Sequence, residues 1–302
     1  MVNRREFLFA SAAASVAVAA PVEDLWGGPV IDIHAHTRPD PNANAAHCDG
    51  AGISHAILLT RTNQLAGARA AQAAHPDRFV WSASTNVTDS NAANILTKAV
   101  KDGAIAFGEL KNAVQADGPE LQRLYALAAE LDVPIMVHFQ EYPNSPRGVF
   151  YAEGITKFGK MLEKYPNTKF VAHANSFWGN ISAVNDANTN YPTGKITPGG
   201  ISDKLLGDYP NLFADLSANS GNNALSRDPE FTAGFLERHQ DKLLYGSDCP
   251  CLDGKGKGRE TGRLIGKCLS RETLGIIKKT ASPTVFRKIT WENTHRVYKI
   301  KA

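Results

Sequence analysis

Eight short β-rich runs, at residues 30–33, 55–59, 79–82, 104–108, 134–137, 169–172, 212–215 and 243–245, alternate with stretches of helical periodicity. This alternation constrains the fold strongly, because strands that follow one another in parallel need a long crossover, which is normally a helix packed on the sheet. Residues 119–131 show it most clearly. Pro119 stands where a first helical turn tolerates proline, and Leu121, Leu124, Tyr125, Ala128 and Leu131 form one apolar stripe. Similar helices are expected over 153–164, 228–238 and 271–279. No Pro/Gly/Ser linker and no change of composition interrupts the series, which predicts an α/β fold with a single (β/α)8 TIM barrel over residues 21–302. An open, doubly wound sheet that binds a dinucleotide would carry a glycine fingerprint opening a helix. Here Gly254, Gly256 and Gly258 lie in a lysine-rich loop instead.

Residues 1–20 read as an address. Arg4-Arg5 precede an apolar, alanine-rich run from Phe7 to Ala20, with the small-x-small pattern Ala17-Val18-Ala19 just before Pro21. This resembles a twin-arginine signal and predicts export of the folded protein to the periplasm. No later segment has 18 uninterrupted apolar residues, so no membrane span is expected in the mature chain. Net charge is +3, from 33 basic and 30 acidic residues, and the basic residues are scattered apart from Lys255, Lys257 and Arg259. Nothing in that distribution suggests a nucleic-acid partner. Four cysteines, Cys48, Cys249, Cys251 and Cys268, are too few for a disulfide scaffold. One or two bridges are open to them in an oxidising compartment; Cys249-Pro-Cys251 offers a thiolate pair, but the second C-x-C or C-x-x-C of a structural zinc site is missing, so a structural or redox-inert role is expected.

The chemistry concentrates at strand ends. His34-Ala35-His36 closes the first strand, and side chains two apart share a face, so both imidazoles can meet one cation. Asp32 has the same parity and is expected to orient one of them. The fifth and sixth β runs end in His138 and His173, and the eighth continues through Tyr245-Gly246-Ser247 to Asp248. A histidine or carboxylate placed directly after an apolar strand suits a polar rim better than a core. Gln140, Asn175 and Trp178 follow His138 and His173 closely and are expected to bind substrate, and Asp215 and Ser217 end the seventh run on the same rim. His47, His55, His75, His239 and His295 read as ordinary hydrogen-bonded histidines. No Gly-x-Ser-x-Gly elbow supports a serine nucleophile.

The set His34-x-His36, His138, His173 and Asp248 resembles the ligand order of the amidohydrolase superfamily, nearest its amidohydrolase-related branch. That resemblance implies a divalent metal, zinc above all, as one or two ions. It implies that His34, His36, His138 and Asp248 bind the metal, with His173 as acid/base or second-metal ligand and Asp248 as a further proton carrier. In many binuclear relatives a lysine or glutamate on strand four bridges two metals, and Phe107-Gly108-Glu109-Leu110-Lys111 offers both. Glu109 is expected to be a metal ligand or bridge and Lys111 to face substrate. Asn293-Thr294-His295-Arg296 resembles the family's C-terminal Asn-x-x-Arg segment and is assigned to packing.

The expected activity is hydrolysis of an amide, ester or lactone bond in a small molecule by metal-activated water. A metal-dependent, non-oxidative decarboxylase of the same superfamily is the alternative, followed by an inactive periplasmic binding protein. A homodimer is compatible with such a barrel. The loops over 175–200 and 249–262 stand where they would wall the substrate pocket.

Overall fold

The computed structural model describes residues 24–141, 150–186, 188–259 and 262–300; the Arg4-Arg5 segment lies outside the described residues. Eight strands form one parallel sheet in sequence order: β1 Ile31–His36, β2 His55–Arg61, β3 Phe79–Ser84, β4 Phe107–Leu110, β5 Ile135–His138, β6 Phe170–His173, β7 Leu212–Asp215 and β8 Leu243–Leu244. The sheet curls into the expected (β/α)8 barrel. Its seam joins β1 to the segment just after β8, where Ile33 N–H donates to the Tyr245 carbonyl (3.1 Å) and Asp248 N–H to the His34 carbonyl (2.8 Å).

Period-two alternation divides the apolar side chains into two clusters. Ile33, Ile57, Leu59, Ala106, Met136, Val171, Phe213 and Leu244 point inward, and Val297 and Tyr298 of the last helix, Asn293–Tyr298, join them. The larger cluster fills the layer between sheet and helices, with Phe79, Trp81, Phe107 and Phe170 from the strands and Tyr245 just after β8 against Leu121, Leu124, Phe158, Phe235 and Leu274 from the helices. Each such side chain contributes about 1.5–3 kcal/mol of burial free energy. The plugged interior leaves chemistry only at the rims.

Three expected helices appear as Pro119–Glu130, Pro229–Arg238 and Leu269–Thr280, the second capped by Asp228, whose side chain accepts from Phe231 N–H (3.3 Å). The fourth is shorter. Glu141 Oε1 accepts from Gly154 N–H (2.7 Å) and Ile155 N–H (2.6 Å), holding this stretch as a loop and a 3-10 turn until the helix Phe158–Lys164 begins. Strand four also starts later than its apolar run. Ile105 N–H still donates to the Trp81 carbonyl (3.0 Å), but regular pairing begins at Phe107. The stretch 175–200 opens with a short helix, Asn175–Gly179, and then folds back on itself through Ala183 N–H to Thr197 O (2.8 Å), with Ile181 and Ile196 buried. Among the described residues no helix is long and apolar enough to cross a membrane.

Candidate metal centre

The carboxyl ends of the strands bring His34, His36, Glu109, His138, His173, Asp215 and Asp248 into one connected network. Asp215 is its hub. Fully buried at the end of β7, its Oδ2 lies 2.7 Å from His34 Nδ1, 3.1 Å from His173 Nδ1 and 2.7 Å from Ser217 Oγ. A carboxylate only accepts, so both Nδ1 atoms carry hydrogen, and both neutral rings keep the lone pair on Nε2. Among the described residues, His34 Nε2 is buried and has no hydrogen-bond partner.

Two sets of ligand atoms converge, each within 4.8 Å: His34, His36 and Asp248, and His34, Glu109 and His173. In the first, Asp248 Oδ1 lies 3.4 Å from His36 Nε2 and 3.9 Å from His34 Nε2; in the second, Glu109 Oε1 lies 3.6 Å from His173 Nε2. Glu109 Oε2 is also 3.8 Å from His36 Nε2, which ties the two sets together. His138 enters neither set. Its Nδ1 hydrogen-bonds Glu109 and its Nε2 lies 3.1 Å from Gln140 Oε1, so both ring nitrogens are engaged.

The electrostatics call for a cation. Burial would raise the Glu109 carboxyl, but the imidazoles of His138, His34 and His173 hold it well below its ordinary value. Burial likewise opposes ionisation of Asp215 and Asp248, and neighbouring imidazoles again outweigh it, His34 first in both cases. Three ionised carboxylates therefore share a mostly buried space with neutral-capable imidazoles. His34 responds: burial favours its neutral ring, yet Asp215, Asp248 and Glu109 push its pKa up to about 10. An unpaired Nε2 amid nitrogen and oxygen donors and excess negative charge fits a divalent ion of the zinc class.

Local backbone shape builds the rim. The register of β1 against β2 slips between Asp32 and Ala35, so Ile33 faces the interior while Ala35 packs outward, with His34 and His36 aimed at the mouth. Asp32 consequently does not orient an imidazole. It accepts from His34 N–H (2.9 Å) and Ser247 N–H (2.8 Å) and from the Ser247 hydroxyl, which fastens the seam. Gly246 passes so close that an added Cβ would lie 2.4 Å from Asp215 Oδ1 and 2.9 Å from His34 Cβ. Left-handed backbone follows three strands in succession, at Ala174 (φ 80°), Ala218 (φ 64°) and Asp248 (φ 46°). Such strain in residues other than glycine collects at functional sites.

The expected substrate residues divide. Lys111 is exposed, with Nζ 5.4 Å from the centre of the Tyr151 ring, which meets His138 edge-on at the mouth. Gln140 adjoins His138. Asn175 instead lines a separate polar recess with Glu141, Ser176 and Asn185. Trp178 is turned into the core, where its indole N–H donates to the Asp215 carbonyl (3.0 Å); it positions β7 and offers the pocket no surface. Residues of the two long loops wall the mouth. The Tyr191 hydroxyl hydrogen-bonds Asn219 and feels the charges of Arg263 and Asp248, while Arg259 donates to Asn219 (3.0 Å) and Arg263 to Asn222. Arg259 is buried, its guanidinium engaged by Asn219 and the Leu264 carbonyl (3.1 Å), whereas Arg263 is exposed. A cavity of about 610 Å³ opens at the other end of the barrel, lined by His55, Arg78, Trp291 and His295, and it shares no residue with the metal-ligand sets.

The sequence profile of the amidohydrolase family matches residues 40–300. No curated protein matches the sequence. Similar solved structures include a probable 2-pyrone-4,6-dicarboxylic acid hydrolase from Acinetobacter baumannii (15% identity, 90% of this chain and 100% of that chain covered, TM-score 0.57). Dihydroorotase from Campylobacter jejuni is 16% identical, with 91% and 84% covered and a TM-score of 0.56. An amidohydrolase from Burkholderia multivorans with bound zinc is 11% identical, with 91% and 100% covered and a TM-score of 0.57. At these identities the structures attest the shared barrel, while the profile spans most of the sequence. The chain belongs to the amidohydrolase family.

Proposed function

We propose that the protein is a metal-dependent hydrolase that opens an amide, ester or lactone bond in a carboxylate-bearing small molecule at the barrel mouth. One observation carries this reading: His34 is held by Asp215 through Nδ1 and keeps a buried, unpartnered Nε2 within both ligand sets. A single nitrogen lone pair holds a single ion. Sharing of His34 therefore favours one cation, which His34, His36, Asp248, Glu109 and His173 would hold.

When bound, a divalent cation supplies Lewis-acid polarisation of a carbonyl and a more acidic water. The remaining work belongs to the chain. Asp248, ionised and with a third of its side chain exposed, is the base at the open side of the site, able to take a proton from water and return it to the leaving group. His173, locked by Asp215 and Ser217 (3.0 Å), keeps Nε2 aimed at Glu109. His138 fixes the Glu109 carboxylate. Lys111 and Arg263 are exposed, Lys111 near Tyr151 and Arg263 near Tyr191, and suit a substrate carboxylate.

The test is product analysis in oxygen-18 water with a panel of carboxylate-bearing lactones, esters and amides. Incorporation of one labelled oxygen, abolished by chelation and by Asp248→Asn, is expected. Carbon dioxide release without incorporation would instead identify the lyase alternative. The twin-arginine-like segment supports a periplasmic location, which cell fractionation checks.

A further inference from the structure

The second concentration of metal-binding side chains lies beside the first and has no part in the proposed reaction. His47, Cys249, Cys251 and Cys268 are each less than a tenth exposed. Cys249 Sγ lies 3.3 Å from Cys251 Sγ and 3.8 Å from Cys268 Sγ, and Cys251 Sγ lies 3.6 Å from His47 Nδ1. We propose that these four side chains form a structural site for a zinc-class cation, which clips the loop after β8 to two helices.

The spacings decide between a metal and a disulfide. A disulfide needs sulfurs about 2.05 Å apart. A tetrahedral cation about 2.3 Å from each sulfur and 2.0–2.1 Å from nitrogen separates sulfurs by about 3.8 Å and sulfur from nitrogen by about 3.6 Å. Three of that tetrahedron's six edges, Cys249–Cys251, Cys249–Cys268 and Cys251–His47, lie within about half an ångström of those values; His47, Cys249 and Cys251 already converge within 4.8 Å, and Cys268, 3.8 Å from Cys249, has to close in as the fourth ligand. Three thiols and an imidazole also form a recurrent structural zinc set. The sequence showed only half of it, because His47 stands 202 residues before Cys249 and Cys268 a further 19 beyond.

Backbone donors converge on two of the sulfurs. Backbone N–H groups of Gly254 and Gly256 hydrogen-bond Cys251, and that of Arg271 hydrogen-bonds Cys268, the N-cap of helix Leu269–Thr280. The Arg38 guanidinium donates to the Cys249 carbonyl (3.1 Å) and the Cys251 carbonyl (2.8 Å). His47 belongs to the helix Ala43–Ala51. Gly254 approaches that helix so closely that a Cβ would lie 2.2 Å from the His47 carbonyl. With its proton on Nδ1, His47 donates to the Cys251 carbonyl (3.0 Å) and keeps a buried Nε2 without a partner; with the proton on Nε2, the Nδ1 lone pair faces the sulfur. Only the second tautomer presents a lone pair to the sulfur, so ligation by His47 exchanges its hydrogen bond to the Cys251 carbonyl for the cation. Binding releases one proton from each thiol to solvent. The clip begins one residue after Asp248, whose left-handed backbone it would hold.

Cobalt reconstitution of the reduced, full-length protein tests this directly. A sulfur-to-cobalt charge-transfer band is expected in the wild type, and the nitrogen and oxygen donors of the mouth cannot produce one. Cys268→Ser should weaken the band and remove one equivalent of zinc, whereas His36→Ala should leave the band intact. The proposal is overturned if wild-type protein with cobalt bound shows no such band, or if its mass under non-reducing conditions shows two of these cysteines joined and the reduced form takes up no thiolate-bound metal. Because the deciding spectrum needs no variant, a folding failure of Cys268→Ser does not blunt it. A thiolate band in a protein without hydrolytic activity would uphold this site and refute only the mouth chemistry.

Discussion

Replacing Asp215 with asparagine isolates the charge that organises the mouth. The substitution keeps the shape and one acceptor oxygen, but it removes the negative charge that lies 2.7 Å from His34 Nδ1 and 3.1 Å from His173 Nδ1. Loss of the group behind a metal-bound imidazole typically costs about 10–100-fold in affinity. Here one oxygen stands behind two candidate ligands, so Asp215→Asn is expected to lower affinity for zinc about 100-fold, or about 2.7 kcal/mol. Competition against a chromophoric chelator reads that change, and circular dichroism confirms the barrel. Measurement in a background lacking Cys268 separates the mouth from the thiol cluster. An affinity within about threefold of the parent, less than ~0.7 kcal/mol, in a folded variant would refute the assignment of Asp215 as the positioning residue.

Protons should compete with metal at the mouth. His34 is raised to about 10 in the metal-free protein, so an ion must displace its proton below that pH, and affinity should rise about tenfold per pH unit between roughly 7 and 9; a flat profile in chelator competition would count against His34 as a ligand. The same shift works in reverse on metal-free stability: the charged ring contributes fully below its unfolded value near 6.5 and the contribution is lost as pH rises toward 10, which denaturant titrations at several pH values would detect. Gly246→Ala should overpack the hub by about 1–3 kcal/mol and lower Tm by several degrees while weakening metal retention, both readable by calorimetry with and without zinc. Trp178→Phe removes the indole donor from the buried Asp215 carbonyl and should cost about 1–3 kcal/mol in chemical denaturation, with metal stoichiometry unchanged.

The barrel was legible because it depends on local order. Apolar runs and helical stripes repeat along the chain, and seven of the eight observed strands begin within one residue of the run that predicted them. The exception, β4, lacks regular pairing until Phe107. His34, His36, Glu109, His173 and Asp248 were legible as residues that end strands or directly follow them. What escaped was which group touches which. Parity assigned one imidazole of the His34-x-His36 pair to Asp32, but a slip in the β1 register redirected that carboxylate to Ser247 and left the His34 ring to Asp215, 181 residues away. Trp178 followed a site histidine in sequence, yet the helix Asn175–Gly179 turned it inward.

The same distinction explains why strain and cross-links coincide at the mouth. Ala174, Ala218 and Asp248 each hold a left-handed backbone that a residue with a side chain adopts at a cost of order 1–3 kcal/mol. Such conformations persist only where neighbouring contacts outweigh them. Ala174 follows His173, which Asp215 and Ser217 grip, and Ala218 follows Ser217 itself. Asp248 has no equivalent in that network on its C-terminal side, where the chain runs at once into Cys249 and Cys251. A metal clip there would do for β8 what the Asp215 hub does for β6 and β7. On this view the thiol site takes no proton itself but holds one carboxylate in place, and its removal should lower turnover and, by releasing Asp248, also lower the proton affinity of His34.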